Sequence, residues 1–301
     1  MFDVLFDVVV PAFIVVAVGV ALGRAFALDM ASLSRVSLYA AVPALVFASL
    51  SATDVAFDDV GLLLAANALF LVGMAGLSSA AAWWMPKRSR RGLVATSMFG
   101  NAANIMLPVT LFAFGEVGLQ RALILYVFSA VVLFTLGPLV LGGDGGSRRR
   151  LLLSVLRLPV LWAALLGVAV NVAGWTVPVG LGRGIGLLGD AAIPMVLLML
   201  GLQIQRSGVR APSGVNVLGA VLKLAIGPVV GYAAAWLLGI RGLDLAVLTL
   251  LAAMPPAINT FMLAIEFGAD ADEVARTVIV STLASVVTLT VVLVVVRGIA
   301  A

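Results

Sequence analysis

Two stretches of this sequence set amides and prolines inside otherwise apolar runs. Residues 99–108 read Phe-Gly-Asn-Ala-Ala-Asn-Ile-Met-Leu-Pro, and residues 253–261 read Ala-Met-Pro-Pro-Ala-Ile-Asn-Thr-Phe. A proline removes a backbone donor and crowds the carbonyl four residues back. A buried amide side chain costs free energy until it finds a partner. In one run alone, this is a kinked helix with asparagine as glue between helices. In two runs at corresponding places, it marks broken helices around a wet cavity, whose half-helix N-termini favour an anion. The candidate binding residues are Asn101, Asn104, Pro108, Pro255, Pro256, Asn259 and Thr260. Lys223 joins them, about nine residues into another apolar run. An ionisable group at that depth is costly and is a functional candidate by default. The alternative is a lysine that snorkels or pairs with carbonyls freed by a break. Asp190 is either an ion or proton ligand or a charge near the headgroups. Glu266 reads as interfacial, and Asn67, Asn171, Gln203 and Gln205 read as packing or capping residues.

Other chemistries drop out. With no Cys and no His, thiol nucleophiles, disulfides, thiolate metal sites and His-based catalysis are absent. Neither a metal nor a cofactor is expected. There is no phosphate-binding Walker loop, and residues 182–186 match a dinucleotide fingerprint poorly, with no strand ahead of them. An intramembrane protease would need a second Asp at the depth of Asp190. A sensor would carry a soluble output domain. The chain does not read as an enzyme.

The elements that must position these residues are long apolar helices. Hydrophobic residues make up 63% of the 301 and charged ones only 11%, against about 25% charged in soluble domains. Ten runs of about spanning length occupy residues 4–22, 33–50, 60–84, 93–114, 119–141, 158–179, 184–204, 214–238, 243–267 and 274–296. With both termini outside, the loops hold 13 basic residues inside and 4 outside, as the positive-inside rule requires. The same rule accounts for the basic pI without nucleic acid. Residues 142–157, glycine-rich and then arginine-rich, look like a cytoplasmic linker between residues 1–141 and 158–301. The halves echo each other. Ala40 to Pro43 resembles Ala191 to Pro194, Ala80 to Trp83 resembles Ala233 to Trp236, Phe114-Gly115 matches Phe267-Gly268, and Pro11 matches Pro159. Five spans per half is an odd number, so the second half must be inverted. Inverted repeats of this kind belong to secondary transporters.

These residues resemble the auxin efflux carrier family, which includes plant PIN-type carriers and bacterial malate or malonate permeases. Gly100-Asn101 through Pro108 looks like the family's Asn-to-Pro crossover in the fourth span. Met254-Pro255 through Asn259, and on to Phe267-Gly268, looks like the ninth-span crossover of the bacterial branch. Lys223, five positions before Pro228, is similar to the family's basic residue before a proline. The resemblance implies an all-α membrane protein of ten helices with discontinuous, crossed helices 4 and 9. It implies a scaffold of helices 1, 2, 6 and 7, a mobile bundle of helices 3–5 and 8–10, and organic-anion substrates. Thr260 stands where plant carriers have a second crossover proline, and the long plant loop is missing, which puts auxin itself in doubt. The expected partners are a small organic anion, the lipid bilayer of the cytoplasmic membrane and, in a homodimer, a second copy of the chain. The other candidates are sodium- or proton-coupled carriers of the bile-acid symporter or cation–proton antiporter type. Those carry acidic or Gln clusters at the crossover.

Overall fold

The computed structural model describes residues 5–53, 57–142, 153, 155–207 and 211–300. Most of the expected linker, residues 142–157, lies outside the described residues. The described residues are helical, with no strand beyond one isolated bridge between Gly100 and Pro256. In chain order the helices are α1 (Val10–Ala25), α2 (Met30–Ser51), α3 (Phe57–Ala81), α4 (Lys87–Met98), α5 (Leu107–Leu141), α6 (Pro159–Val172), α7 (Val179–Asp190), α8 (Ala192–Ser207), α9 (Gly214–Leu237), α10 (Gly242–Ala252), α11 (Asn259–Phe267) and α12 (Ala271–Ala300).

Six helical stretches are long and apolar enough to cross a membrane, and α1, α6 and α10 are shorter apolar helices. Large apolar side chains cover much of the outside, including Val72, Trp83, Trp175 and Leu187, each at least 70% exposed. In water such a surface would drive aggregation. In lipid it is the matching surface. The molecule is thus a multi-span helical membrane protein.

The prolines shape the helices in a uniform way. Wide π turns occupy Ser37–Ala41, Ala102–Met106 and Leu222–Ile226, each ending two residues before a proline: Pro43, Pro108 and Pro228. In each, the residue just before the proline donates its N–H to the carbonyl five residues back. The missing proline N–H leaves a carbonyl without its donor, and the helix widens by one residue per turn to pass the ring. A fourth π turn, Leu5–Val9, precedes Pro11 in the same register.

Packing sorts the helices. α1 lies along α8, and α2 lies against α6 and α7. α3, α4, α5, α9, α10, α11 and α12 pack mainly among themselves. The α1–α8 contact is close because Gly19 and Gly201 meet there; a Cβ on either would overlap backbone atoms of the other helix. Gly167 and Gly189 also let α6 and α7 approach the backbone of α2, less closely: a Cβ there would lie 3.0 and 3.1 Å from its atoms. Small residues serve this purpose in membranes, where dispersion contacts rather than a hydrophobic drive hold helices together.

Candidate functional site

The fourth and ninth apolar runs are each broken. α4 ends at Met98, and the chain is extended at Phe99 before the π turn that leads into α5. α10 ends at Ala252, and α11 begins only at Asn259. The two breaks meet. Asn101 N–H donates to the Pro255 carbonyl at 2.7 Å, and Ala257 N–H donates to the Phe99 carbonyl at 2.8 Å. Each break thus supplies the partners that the other has lost from its own helix, which is how unwound backbone survives at this depth. Gly100 sits at the crossing. A Cβ there would lie 3.2 Å from the Leu251 carbonyl and 3.3 Å from both Met254 Cβ and Lys223 Nζ.

Asn101 is 4% exposed. Its Oδ1 accepts from Asn104 N–H at 3.0 Å and so caps the helix that follows. Its Nδ2 has no partner among the described residues. A buried amide donor without a partner costs about 1–3 kcal/mol, so the site holds an unspent hydrogen bond.

A cavity of about 670 Å³ opens beside the crossing, within the range of small-molecule sites. Its wall includes Gly100, Asn101, Asn104 and Asn259 from the breaks. It runs from there to the end of the molecule where α2 begins, lined at that end by Met30 and Arg157. Arg206 of α8 donates to the Leu28 carbonyl at the same end. The wall separates α2, α6 and α8 on one side from α3, α5 and α11 on the other. Among the described residues, apart from the phenols of Tyr39 and Tyr126, the ionisable side chain on its wall is Arg157, and no carboxylate lines it.

The expected site residues fall into three groups. Asn101, Asn104 and Asn259 line the cavity. Asn101 and Asn259 differ in setting, since Asn259 is exposed while Asn101 is buried. Pro108, Pro255, Pro256 and Thr260 are buried around the crossing and shape it from behind. Thr260 Oγ1 has no hydrogen-bond partner among the described residues. Lys223 is fully buried at the back of the crossing, with its Nζ 5.0 Å from the Phe70 ring centroid and without a hydrogen-bond partner among the described residues. Gly100 and Phe70, both on the cavity wall, stand between it and the open space. Asp190 is exposed at the end of α7 and does not line the cavity.

Several polar residues of the wall were not singled out from sequence: Ser34, Ser37, Tyr39, Tyr126, Ser129 and Arg157. Two more, Asn67 and Gln203, read there as packing residues and line the cavity instead. Asn67 Nδ2 donates to Ser129 Oγ at 3.4 Å, so α3 and α5 hold a second polar pair facing the same space. Asn171 does cap, donating to the Ser51 and Thr53 carbonyls at the end of α2.

Comparison with known proteins gives the same picture. Residues 147–293 match the family model described as membrane transport protein. An uncharacterized transporter of Methanothermobacter thermautotrophicus is 33% identical over 87% of this chain and 87% of its own length. A candidate malonate transporter of Rhizobium meliloti is 27% identical over 66% of this chain and 65% of its own. A candidate auxin efflux carrier component of Oryza sativa subsp. japonica is 32% identical over 46% of this chain and 39% of its own. Fold, cavity and relatives together define a multi-pass membrane transporter acting on a small molecule, and transporters of this kind are not an enzyme family. The chain belongs to the auxin efflux carrier family.

Proposed function

We propose that the chain is a secondary transporter that carries a small organic anion, such as the conjugate base of a weak carboxylic acid, by alternating access. The observation that carries this reading is the Asn101 Nδ2 at the crossing, unpartnered among the described residues, beside a cavity that no described carboxylate lines. A donor in a low-dielectric wall favours an anionic oxygen. The N-terminal end of the helix leading into α5 adds positive potential at the same place. Lys223 adds more from behind Gly100 without touching the cavity. A sodium- or proton-coupled carrier would need acidic groups at the crossing, and the described residues of the wall include none.

The architecture we infer is ten spans in two inverted five-span repeats, residues 1–141 and 158–301, joined by a cytoplasmic linker. Two observations support it. Gly115 and Gly268 occupy matching places in the halves, and both take positive φ, 65° and 73°. The pairs α1–α8 and α2–α6 interchange when first-half spans are exchanged for second-half spans, as a two-fold relation requires. Spans 1, 2, 6 and 7 would form the scaffold, and spans 3–5 and 8–10 the moving bundle, in a cytoplasmic membrane with both termini outside. A homodimer is compatible with this arrangement.

Uptake of radiolabelled dicarboxylates and aromatic acids into proteoliposomes, with and without proton or sodium gradients, tests the function. Saturable uptake of at least one anion, lost in Asn101→Asp, is the expected result. Uptake of cations or neutral solutes alone would overturn the reading. Because the chain has no Cys, single cysteines test orientation: Arg183→Cys should react with an impermeant maleimide in intact cells, and Lys87→Cys should not.

A further inference from the structure

The end of the molecule at which the cavity opens carries a second feature that the transport reading leaves unused. α2 begins at this end with Met30, and α3 returns to it. The 23-residue apolar stretch Asp59–Ala81 is about 34 Å long at the helical rise, enough to cross the hydrocarbon core. The chain emerging from it carries Trp83 and Trp84, 72% and 61% exposed. Their rings meet edge to face at 6.2 Å. Lys87, Arg88, Arg90 and Arg91 follow within the first five residues of α4.

These cations are poorly compensated. They sit at the positive pole of α4, where cations are disfavoured, and the first turn of that helix holds no acidic residue. Arg88 is engaged: its Nε donates to the Gly268 carbonyl at 2.9 Å, and it shares a shallow surface recess with Asp270 and Asp272. Arg91 packs on Gly142 at the end of α5. Lys87, Arg90 and Arg91 form no ion pair among the described residues. Three cations without an ion pair among the described residues thus follow directly on an exposed tryptophan pair at the end of a spanning helix, and indole rings prefer headgroup depth.

We propose that Trp83, Trp84, Lys87, Arg90 and Arg91 form a binding site for an anionic phospholipid. The phosphate lies among the three cations, and the acyl chains run down the apolar face of α3 beside the two indoles. The occupant is a lipid rather than a free anion because the cations border the exposed apolar surface, which a soluble anion cannot cover. Each basic residue near the surface contributes about a fivefold preference for anionic lipid, so three give roughly a hundredfold.

The test uses purified, delipidated protein with three probes: phosphatidylglycerol, phosphatidylcholine and inorganic phosphate. Native mass spectrometry should show phosphatidylglycerol retained at collision energies that strip phosphatidylcholine. Phosphatidylglycerol, but not phosphate, should raise Tm by several degrees. The K87Q/R90Q/R91Q variant, which leaves Arg88 on Gly268, should lose this retention about a hundredfold while keeping its Tm in phosphatidylcholine. W83L/W84L should weaken retention less. Equal retention of the two lipids by the unaltered protein would overturn the proposal and leave the cluster as a topology determinant only. So would undiminished phosphatidylglycerol retention in the triple variant, or an equal Tm shift from inorganic phosphate.

Discussion

Two of the places where helix backbones come close are built in opposite ways. At the α1–α8 crossing, Gly19 and Gly201 meet between unbroken helices, surrounded by buried Val16 and Leu197. Every backbone donor stays within its own helix. At the Gly100–Pro256 crossing the helices are broken, and each borrows hydrogen bonds from the other. Asn101 Nδ2, Thr260 Oγ1 and Lys223 Nζ remain buried there without hydrogen-bond partners among the described residues. The first crossing is complete and has nothing left to bind. The second has unspent polar groups, and a buried polar group without a partner is a destabilising feature that persists where a ligand or a motion uses it.

Substitutions at the two places should therefore separate stability from transport. The largest effect is expected at the first. Gly201→Leu forces side-chain atoms into the backbone of α1, which cannot yield as a flexible side chain would. The variant should fail to elute as a monodisperse species in fluorescence-detected size exclusion. Gly201→Ala should fold with a loss of about 1–3 kcal/mol, read as a lower Tm, with uptake by the surviving protein unchanged. Loss of uptake without loss of Tm in Gly201→Ala would erase the contrast.

At the second crossing, Asn101→Asp keeps the oxygen that caps Asn104 and replaces the free donor with an anion. Uptake should fall at least tenfold, with little change in Tm. Asn101→Ala removes the cap as well and should add a stability cost of about 0.5–2 kcal/mol. If Asn101→Asp transports at the parental rate, the amide donor is not part of the site.

Lys223→Met sharpens the comparison further. It keeps the apolar stem and removes a buried polar group that has no hydrogen-bond partner among the described residues. Tm should stay level or rise. Because Gly100 and Phe70 separate Lys223 from the cavity, anion affinity measured by calorimetry should fall by less than in Asn101→Asp. A fall equal to or larger than that of Asn101→Asp would mean that the ammonium reaches the substrate directly.

The smallest effect is expected far from both crossings. Arg121 Nε and Asp244 Oδ1 are 3.2 Å apart, with their side chains about one-fifth exposed. A double-mutant cycle on Arg121→Ala and Asp244→Ala should return a coupling of about 0.2–1 kcal/mol and leave uptake intact. A coupling several times larger would show that this pair, too, belongs to the working part of the molecule.

Local chemistry made much of this legible in the sequence. Pro108, Pro255 and Pro256 announce disturbed helix, a π turn or a break, because a missing N–H is a property of the residue itself. Asn101 and Asn259 are conspicuous because amides are costly in lipid, and the apolar runs and loop cations identify a membrane protein by composition and length. Only the tertiary structure decided what faces what. In a bilayer, the lipid-facing and protein-facing sides of a helix are both apolar, so hydrophobic periodicity does not distinguish Asn67 on a cavity wall from Asn67 as helix glue. The same ambiguity hid Ser129, Tyr126, Gln203 and Arg157, which come together only when α2, α6 and α8 are set against α3 and α5. Asn101 and Asn259 look alike in sequence, yet one is buried with a cap to hold and the other is open to the cavity. Lys223 could be recognised as costly from its place in an apolar run. That it lies behind Gly100 and Phe70 rather than on the cavity wall depends on a crossing made by backbone hydrogen bonds between residues more than 150 positions apart, a distance over which no local pattern carries information.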